Sequence, residues 1–257
     1  MIGAIAGDII GSVHEYTETN TKDFPLFDEE CEFTDDTVLT IAVADQLLNG
    51  GELVDLFHQY FNLYPNAGYG DSFYNWAKSK KTQPYNSWGN GSAMRVSPIG
   101  FAYNTLEEVM YHARKSAEVT HNHPEGVKGA QATAIAIFLA KNNWEKADIK
   151  NHLSEHFGYH LSESLSDIRQ HYCFDESCQG SVPQSIISFL ESDSYEDAIR
   201  NAISLGGDAD TMACIAGGIA EAFYGGVPED IAVKAMSFLT TPLKTIVLEF
   251  GYKYGIK

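Results

Sequence analysis

Hydrophobic positions along the chain recur mostly with a helical period. Val38-Leu39-Thr40-Ile41-Ala42-Val43-Ala44-Asp45-Gln46-Leu47-Leu48 is apolar almost all round and stops at Asn49-Gly50-Gly51, the mark of a helix buried on every side. Residues 130–139 form a second such run, ended by Lys141-Asn142-Asn143. Residues 212–223 form a third, closed by Gly225-Gly226 and followed by Pro228. Residues 107–118, 195–205 and 230–239 read as amphipathic helices, apolar on one face only. Period-two alternation is hard to find and hairpin turn signals are sparse. Gly3, Gly7 and Gly11 fall on one face of an N-terminal helix, a spacing that lets two helices approach closely. The polar, irregular stretch 159–184 is the expected surface excursion. No repeat or low-complexity linker interrupts the 257 residues, so the pattern predicts an all-α fold, a single multi-helix domain over 1–257.

Composition narrows the function classes. The chain is 44% hydrophobic and 12% aromatic, enough for a substantial core, and its 17 Lys+Arg against 35 Asp+Glu give a formal net charge of −18. Such a surface repels nucleic-acid backbones and anionic membranes, which argues against either as a partner. Arginine occurs only at Arg95, Arg114, Arg169 and Arg200, so a buried carboxylate cluster would have few protein counter-ions. Cys31, Cys173, Cys178 and Cys214 are too few for a disulfide scaffold, and the spacing of Cys173 and Cys178 matches no strong zinc signature. The apolar, glycine-rich stretch 1–13 has no basic leader and carries Asp8, unlike an export signal, and no run reaches the length of a membrane span. The expected compartment is the cytoplasm.

Two segments carry candidate chemistry. Phe33-Thr34-Asp35-Asp36-Thr37 precedes the first buried helix, and Gly206-Gly207-Asp208-Ala209-Asp210-Thr211 precedes the third. Helix capping alone would account for either one, since Asp and Thr are good N-caps and acids favour the positive end of the helix dipole. Each segment, however, carries more acid than one cap uses and leads a helix whose first turn is expected inside the protein. Four carboxylates there would repel one another unless neutralised. Mg²⁺ or Mn²⁺, which take carboxylate, hydroxyl and water oxygens, would relieve that repulsion, and alternate acids at Asp208 and Asp210 suit two ions about 3.5–4 Å apart. Gly89-Asn90-Gly91-Ser92 reads equally as a plain turn or as a nest of backbone N–H groups that binds phosphate. His121 and His123, before Pro124, lack a third metal-ligating partner at suitable spacing.

Taken with Gly7-Asp8-Ile9-Ile10-Gly11-Ser12-Val13-His14-Glu15, Gly89-Asn90-Gly91-Ser92-Ala93-Met94-Arg95 and Thr120-His121, these segments resemble the ADP-ribosylglycohydrolases in both kind and order, from Gly3 to about Pro228. That group contains the dinitrogenase reductase activating glycohydrolases and the ADP-ribosyl-acceptor hydrolases. The resemblance implies an all-α domain of the ADP-ribosylglycohydrolase type with two Mg²⁺ ions, Mn²⁺ being possible in their place. It makes Thr34, Asp35, Asp36, Asp208, Asp210 and Thr211 the metal ligands. It gives catalysis to Glu15 and Asp36 and makes Gly89, Asn90, Gly91, Ser92, Met94 and His121 substrate contacts, the pyrophosphate resting on the loop 89–92. His123 stays unassigned.

The implied function is hydrolysis of the N- or O-glycosidic bond between ADP-ribose and an acceptor, a modified protein or a small-molecule conjugate. Another magnesium-dependent hydrolase of ADP-ribose derivatives or nucleotides would use the same cradle. So would a non-catalytic ADP-ribose-binding or structural relative, although expected residue types at all six metal positions argue against a purely structural role. The residues 64–87, rich in Tyr and Trp, are the expected rim.

Overall fold

The computed structural model describes residues 1–17 and 19–255. Its helices are α1 (Ile2–Gly11), α2 (Asp35–Asn49), α3 (Leu53–Leu63), α4 (Asp71–Lys78), α5 (Gly91–Met94), α6 (Ser97–Ala102), α7 (Leu106–Glu118) and α8 (Pro124–Lys141). They continue with α9 (Lys146–Phe157), α10 (Leu165–Ile168), α11 (Cys178–Leu190), α12 (Tyr195–Ile203), α13 (Ala209–Tyr224), α14 (Glu229–Phe238) and α15 (Thr241–Tyr254). β structure among the described residues is limited to one antiparallel bridge between Gly89 and Ser177. The result is an all-helical single domain, and among the described residues no helix is long and apolar enough to cross a membrane.

Helix α13 is the axis of the molecule. It packs against α1, α8, α11 and α12, and every residue from Ala209 to Glu221 is buried. Its Ala, Gly and Cys positions keep it slim enough to be surrounded. It ends at Gly225, whose left-handed conformation (φ 76°) favours a residue without a β-carbon. Helix α2 is likewise buried from Asp36 to Ala44 and ends at Gly50, where the Asn-Gly-Gly sequence forecast the stop.

The N-terminal glycines work as their spacing predicts. Helix α1 runs antiparallel to α13 with almost no gap between the backbones. A β-carbon at Gly3 would fall 2.6 Å from the Gly217 carbonyl oxygen, and one at Gly7 would fall 2.1 Å from that of Ala213. This seam carries the C-terminal end of α1 to the N-terminal end of α13. A second packing unit, made by Phe57, Phe61, Tyr69, Phe73 and Trp76, ties α3 to α4; Tyr69 stacks on Phe73 at 5.2 Å between ring centroids. It fixes the connecting segment 67–71 at the edge of the cleft described below.

The stretch 159–184 corrects an expectation. It contains α10 and the first half of α11, and Tyr159, Leu161, Leu165, Ile168, Cys178 and Val182 are all buried. Pro183 lies inside α11; its ring removes one N–H from the helix without ending it, because the surrounding core holds the turn in place. Ser177 caps α11 by accepting from the Gly180 N–H, and the segment before it docks on the loop 89–92: Asn90 N donates to the Glu176 carbonyl at 2.7 Å, and Cys178 N to that of Trp88 at 2.9 Å.

Candidate metal centre and ligand cleft

The two acid-bearing helix starts, of α2 and α13, converge with the end of α1. Asp8, Asp36 and Asp210 each offer a carboxylate oxygen within 4.8 Å of the others, as do Glu15, Asp208 and Asp210, so the two clusters share Asp210. Capping and clustering coexist at α2: the Thr34 hydroxyl accepts from Asp36 N at 3.3 Å and donates to Asp8 Oδ1 at 2.7 Å. At α13 capping explains only part, since Asp210 Oδ1 accepts from Thr211 N at 2.8 Å. Asp208 occupies the N-cap position but makes no side-chain cap bond, and its Oδ2 instead accepts from Asn90 Nδ2 at 2.7 Å.

Asp8 belongs to the site although the sequence pattern did not place it there. Its Oδ2 also accepts from Thr34 N (3.0 Å) and Thr37 N (3.1 Å), so it clamps the start of α2 from beneath. The signal that could have found it was a lone acid in the middle of an otherwise apolar helix, where burial without a partner is costly.

The electrostatics of these acids call for a cation. Burial is the main cause of every shift. It raises Asp8 to about 6, against the pull of hydrogen bonds from Thr37 and Thr34. It raises Asp208 to about 6 and Glu15 to about 7, the latter helped by the Asp210 charge. Asp35 and Asp36 are held well above the usual carboxylate range by burial and then by Asp210, and Asp210 by burial and then by Asp208. Among the described residues no lysine, arginine or histidine forms an ion pair with any of the six. Asp36 Oδ2 accepts from the Thr211 hydroxyl at 3.1 Å, while its Oδ1 is buried with no partner. An orphaned carboxylate oxygen and an all-oxygen donor set, with Arg95 on the cleft wall but paired with none of these acids, together fit hard divalent metal ions.

All of these acids but Asp8 floor one cleft of about 430 Å³, a size that suits a nucleotide-like ligand. Glu15, Asp35, Asp36, Asp208, Asp210, Thr211, Gly89, Asn90, Gly91, Met94 and His121 all line it. Thr34 and Ser92 do not. Thr34 is turned toward Asp8, and the buried Ser92 hydroxyl donates to the Gly126 carbonyl at 2.7 Å, which leaves Ser92 only its backbone to offer. Tyr69, Gly70, Phe73, Tyr85 and Ser87, from the expected rim, also line it, and Glu176 adds an acid that no sequence pattern singled out. His123 is structural, since its Nδ1 accepts from Glu125 N at 3.2 Å and caps α8. The four cysteines are free thiols.

Comparison with known proteins agrees with this architecture. The chain matches the ADP-ribosylglycohydrolase family over residues 1–246. It is 28% identical to the ADP-ribosylhydrolase ARH3 of Mus musculus across 88% of this chain and 82% of that protein. It is 30% identical to the ADP-ribosylhydrolase ARH3 of Gallus gallus across 77% of this chain and 71% of that one. A solved structure described as an ADP-ribosylglycohydrolase-related protein complex shares the fold, with a TM-score of 0.68 at 21% identity over 98% of this chain and 96% of the other. The family match spans every segment that builds the cleft, from α1 through α13, and the chain therefore belongs to the ADP-ribosylglycohydrolase family.

Proposed function

We propose that this protein hydrolyses the glycosidic bond between ADP-ribose and an acceptor, reversing the ADP-ribosylation of a protein side chain or a small molecule. The observation that carries the reading is the pair of carboxylate clusters joined at Asp210, in no ion pair among the described residues, beside a glycine-rich loop in the same cleft. The names of the relatives, ADP-ribosylhydrolases, support it.

Asp35, Asp36, Asp208, Asp210 and Thr211 would hold two divalent ions, Mg²⁺ or Mn²⁺, with Thr34 completing the set from its place against Asp8. Bound there, such ions supply charge stabilisation and orient the ribose hydroxyls next to the scissile bond. The chain's own groups do the rest. The loop 89–92 offers the backbone N–H groups of Gly91 and Ser92 to the pyrophosphate, those of Gly89 and Asn90 being bonded to Ser87 Oγ and the Glu176 carbonyl, and this suits a protein whose net charge of −18 leaves few cations to spend on an anion. Glu15, half-buried on the cleft wall beside Asp208 and Asp210, takes a proton from a cleft water as the water oxygen bonds to the anomeric carbon. The bond from that carbon to the acceptor breaks, the bonding pair leaves with the acceptor, and the proton held by Glu15 passes to the acceptor through cleft water, which restores the carboxylate.

The test is release of free ADP-ribose, read by mass spectrometry, from a panel of conjugates with arginine, serine and small-molecule ester linkages, with Mg²⁺ and with EDTA. Release from at least one linkage, abolished by EDTA and restored by Mg²⁺ or Mn²⁺, is expected. Binding of ADP-ribose without release from any conjugate would make the protein a binding module. Release indifferent to EDTA would remove the metals from the chemistry.

A further inference from the structure

His121 reaches the cleft from the short connection between α7 and α8, and its ring is held at one nitrogen only. Nδ1 lies 2.7 Å from the Thr120 hydroxyl oxygen. That same oxygen is 2.8 Å from Arg95 Nη2, which also donates to the Ser116 carbonyl at 2.8 Å. Arg95 and Thr120 are completely buried. The guanidinium packs over the Phe57 ring at 4.5 Å and has no carboxylate partner among the described residues. A fully buried arginine without a counter-ion is expensive to keep, so its fixed contacts are the place to look for its use.

A guanidinium can only donate, so the Thr120 oxygen accepts from Arg95. The nearest acceptor for the hydroxyl hydrogen is His121 Nδ1, at 2.7 Å, with the Tyr85 hydroxyl also beside Thr120. Donation to Nδ1 requires that nitrogen to be unprotonated, since a proton there would face the hydroxyl hydrogen and turn it toward Tyr85. In this arrangement the ring proton sits on the other nitrogen. Nε2 looks toward the loop: it lies 3.2 Å from where a β-carbon on Gly91 would stand and 3.6 Å from one on Gly89. It has no protein partner among the described residues. Burial and the charge of Arg95 both keep the ring neutral.

We propose that Arg95 and Thr120 are positioning residues that fix His121 as the Nε2–H tautomer, making its cleft-facing nitrogen a permanent donor to a phosphate oxygen of the ligand on the loop 89–91. The identity of that ligand rests on the proposed function; the tautomer does not. The arrangement has a second effect. Imidazole binds metal through an unprotonated nitrogen, so a locked Nε2–H keeps His121 out of the coordination of ions held by the neighbouring acids.

The test uses the full chain labelled with ¹⁵N at histidine, in long-range proton–nitrogen spectra, with His121 assigned by its loss in His121→Gln. Wild type should show a pyridine-type Nδ1 and a pyrrole-type Nε2 at neutral pH, with and without Mg²⁺. Thr120→Val should lose this pattern and weaken ADP-ribose binding roughly tenfold with Mg²⁺ affinity unchanged, and Thr120→Ser should restore both. A pyrrole-type Nδ1 in wild type would overturn the proposal, and so would a Thr120→Ser protein that behaves like Thr120→Val. Should Thr120→Val fail to fold, the wild-type spectrum and the serine variant still decide. If the tautomer is as expected but wild type binds no ADP-ribose, the phosphate assignment falls while the Arg95–Thr120–His121 arrangement stands.

Discussion

Gly11 meets Asp210 with no room for a side chain between them: a β-carbon on Gly11 would fall 2.5 Å from Asp210 Cα and 2.6 Å from the Ala209 carbonyl oxygen. The contact is backbone against backbone, so nothing flexible can move aside. Gly11→Ala should therefore push α1 away from α13, at a cost of about 1–3 kcal/mol for overpacking. The same displacement separates Asp8 and Glu15 from Asp210, so Mg²⁺ affinity should fall with stability. Urea melts and calorimetric Mg²⁺ titrations check both, and an alanine variant with wild-type values in each would show that the seam does not set the cluster.

The shared acid should be worth more to metal binding than to the fold. Asp210→Asn keeps an oxygen able to accept from Thr211 N, the 2.8 Å bond now made by Asp210 Oδ1, but removes a charge from both clusters. Wild type should gain roughly 2.7 kcal/mol at a Mg²⁺ concentration a hundred times its dissociation constant. Asp210→Asn should gain little from Mg²⁺ and lose activity, while in EDTA it should melt no lower than wild type. A variant that melts lower by the same margin in EDTA and in Mg²⁺, with activity kept, would return Asp210 to a purely structural role.

Stability of the metal-free protein should depend on pH with a definite sign. Asp8 and Asp208 are raised to about 6 from 3.8, so the folded protein holds these protons more tightly than the unfolded chain does. Their contribution is complete below the unfolded value and is lost as pH rises through the folded one; Glu15, raised to about 7 from 4.5, extends the decline. Melting temperature in EDTA should therefore fall as pH rises from about 4 to about 7, relative to the curve in Mg²⁺, because the cation binds the deprotonated acids. Parallel curves would contradict the assignment.

Glu15 should matter to turnover more than to binding. Glu15→Gln is isosteric at a half-buried position on the cleft wall, so fold and ADP-ribose affinity should persist. The loss of a proton acceptor should lower kcat by about 10²–10⁴. Single-turnover hydrolysis alongside calorimetry separates the two quantities, and wild-type turnover in Glu15→Gln would remove it from the mechanism.

The parts of the molecule that were legible in the sequence are those where one local signal dominates. Helices α2 and α13 declare themselves through runs apolar on all sides and glycine stops, and the acids before them stand out against that background. The glycine spacing of α1 announced a close helix contact but not its partner. Asp8 was visible as an acid in an apolar helix, yet its role depends on Thr34 and Thr37, which only the folded chain brings to it. The segment 159–184 misled because its polar composition and Pro183 conceal a buried helix. Spacing fixes where a residue falls along an element and leaves open where its side chain turns, which is why Ser92 and Thr34 could be located but not oriented.

The antiparallel pairing of α1 with α13 also bears on how the protein is made. Asp8, Glu15 and Asp36 leave the ribosome ahead of Asp210, which follows on the order of ten seconds or more later at about 5–20 residues per second. Until then neither carboxylate cluster exists, and the glycine face of α1 has nothing to lie against. A nascent chain cannot capture its ions piecemeal. Metal uptake should therefore mark the moment when distant parts of the polypeptide have found each other, and a ribosome-stalled chain ending before residue 208 should ignore concentrations of Mg²⁺ that fill the finished protein.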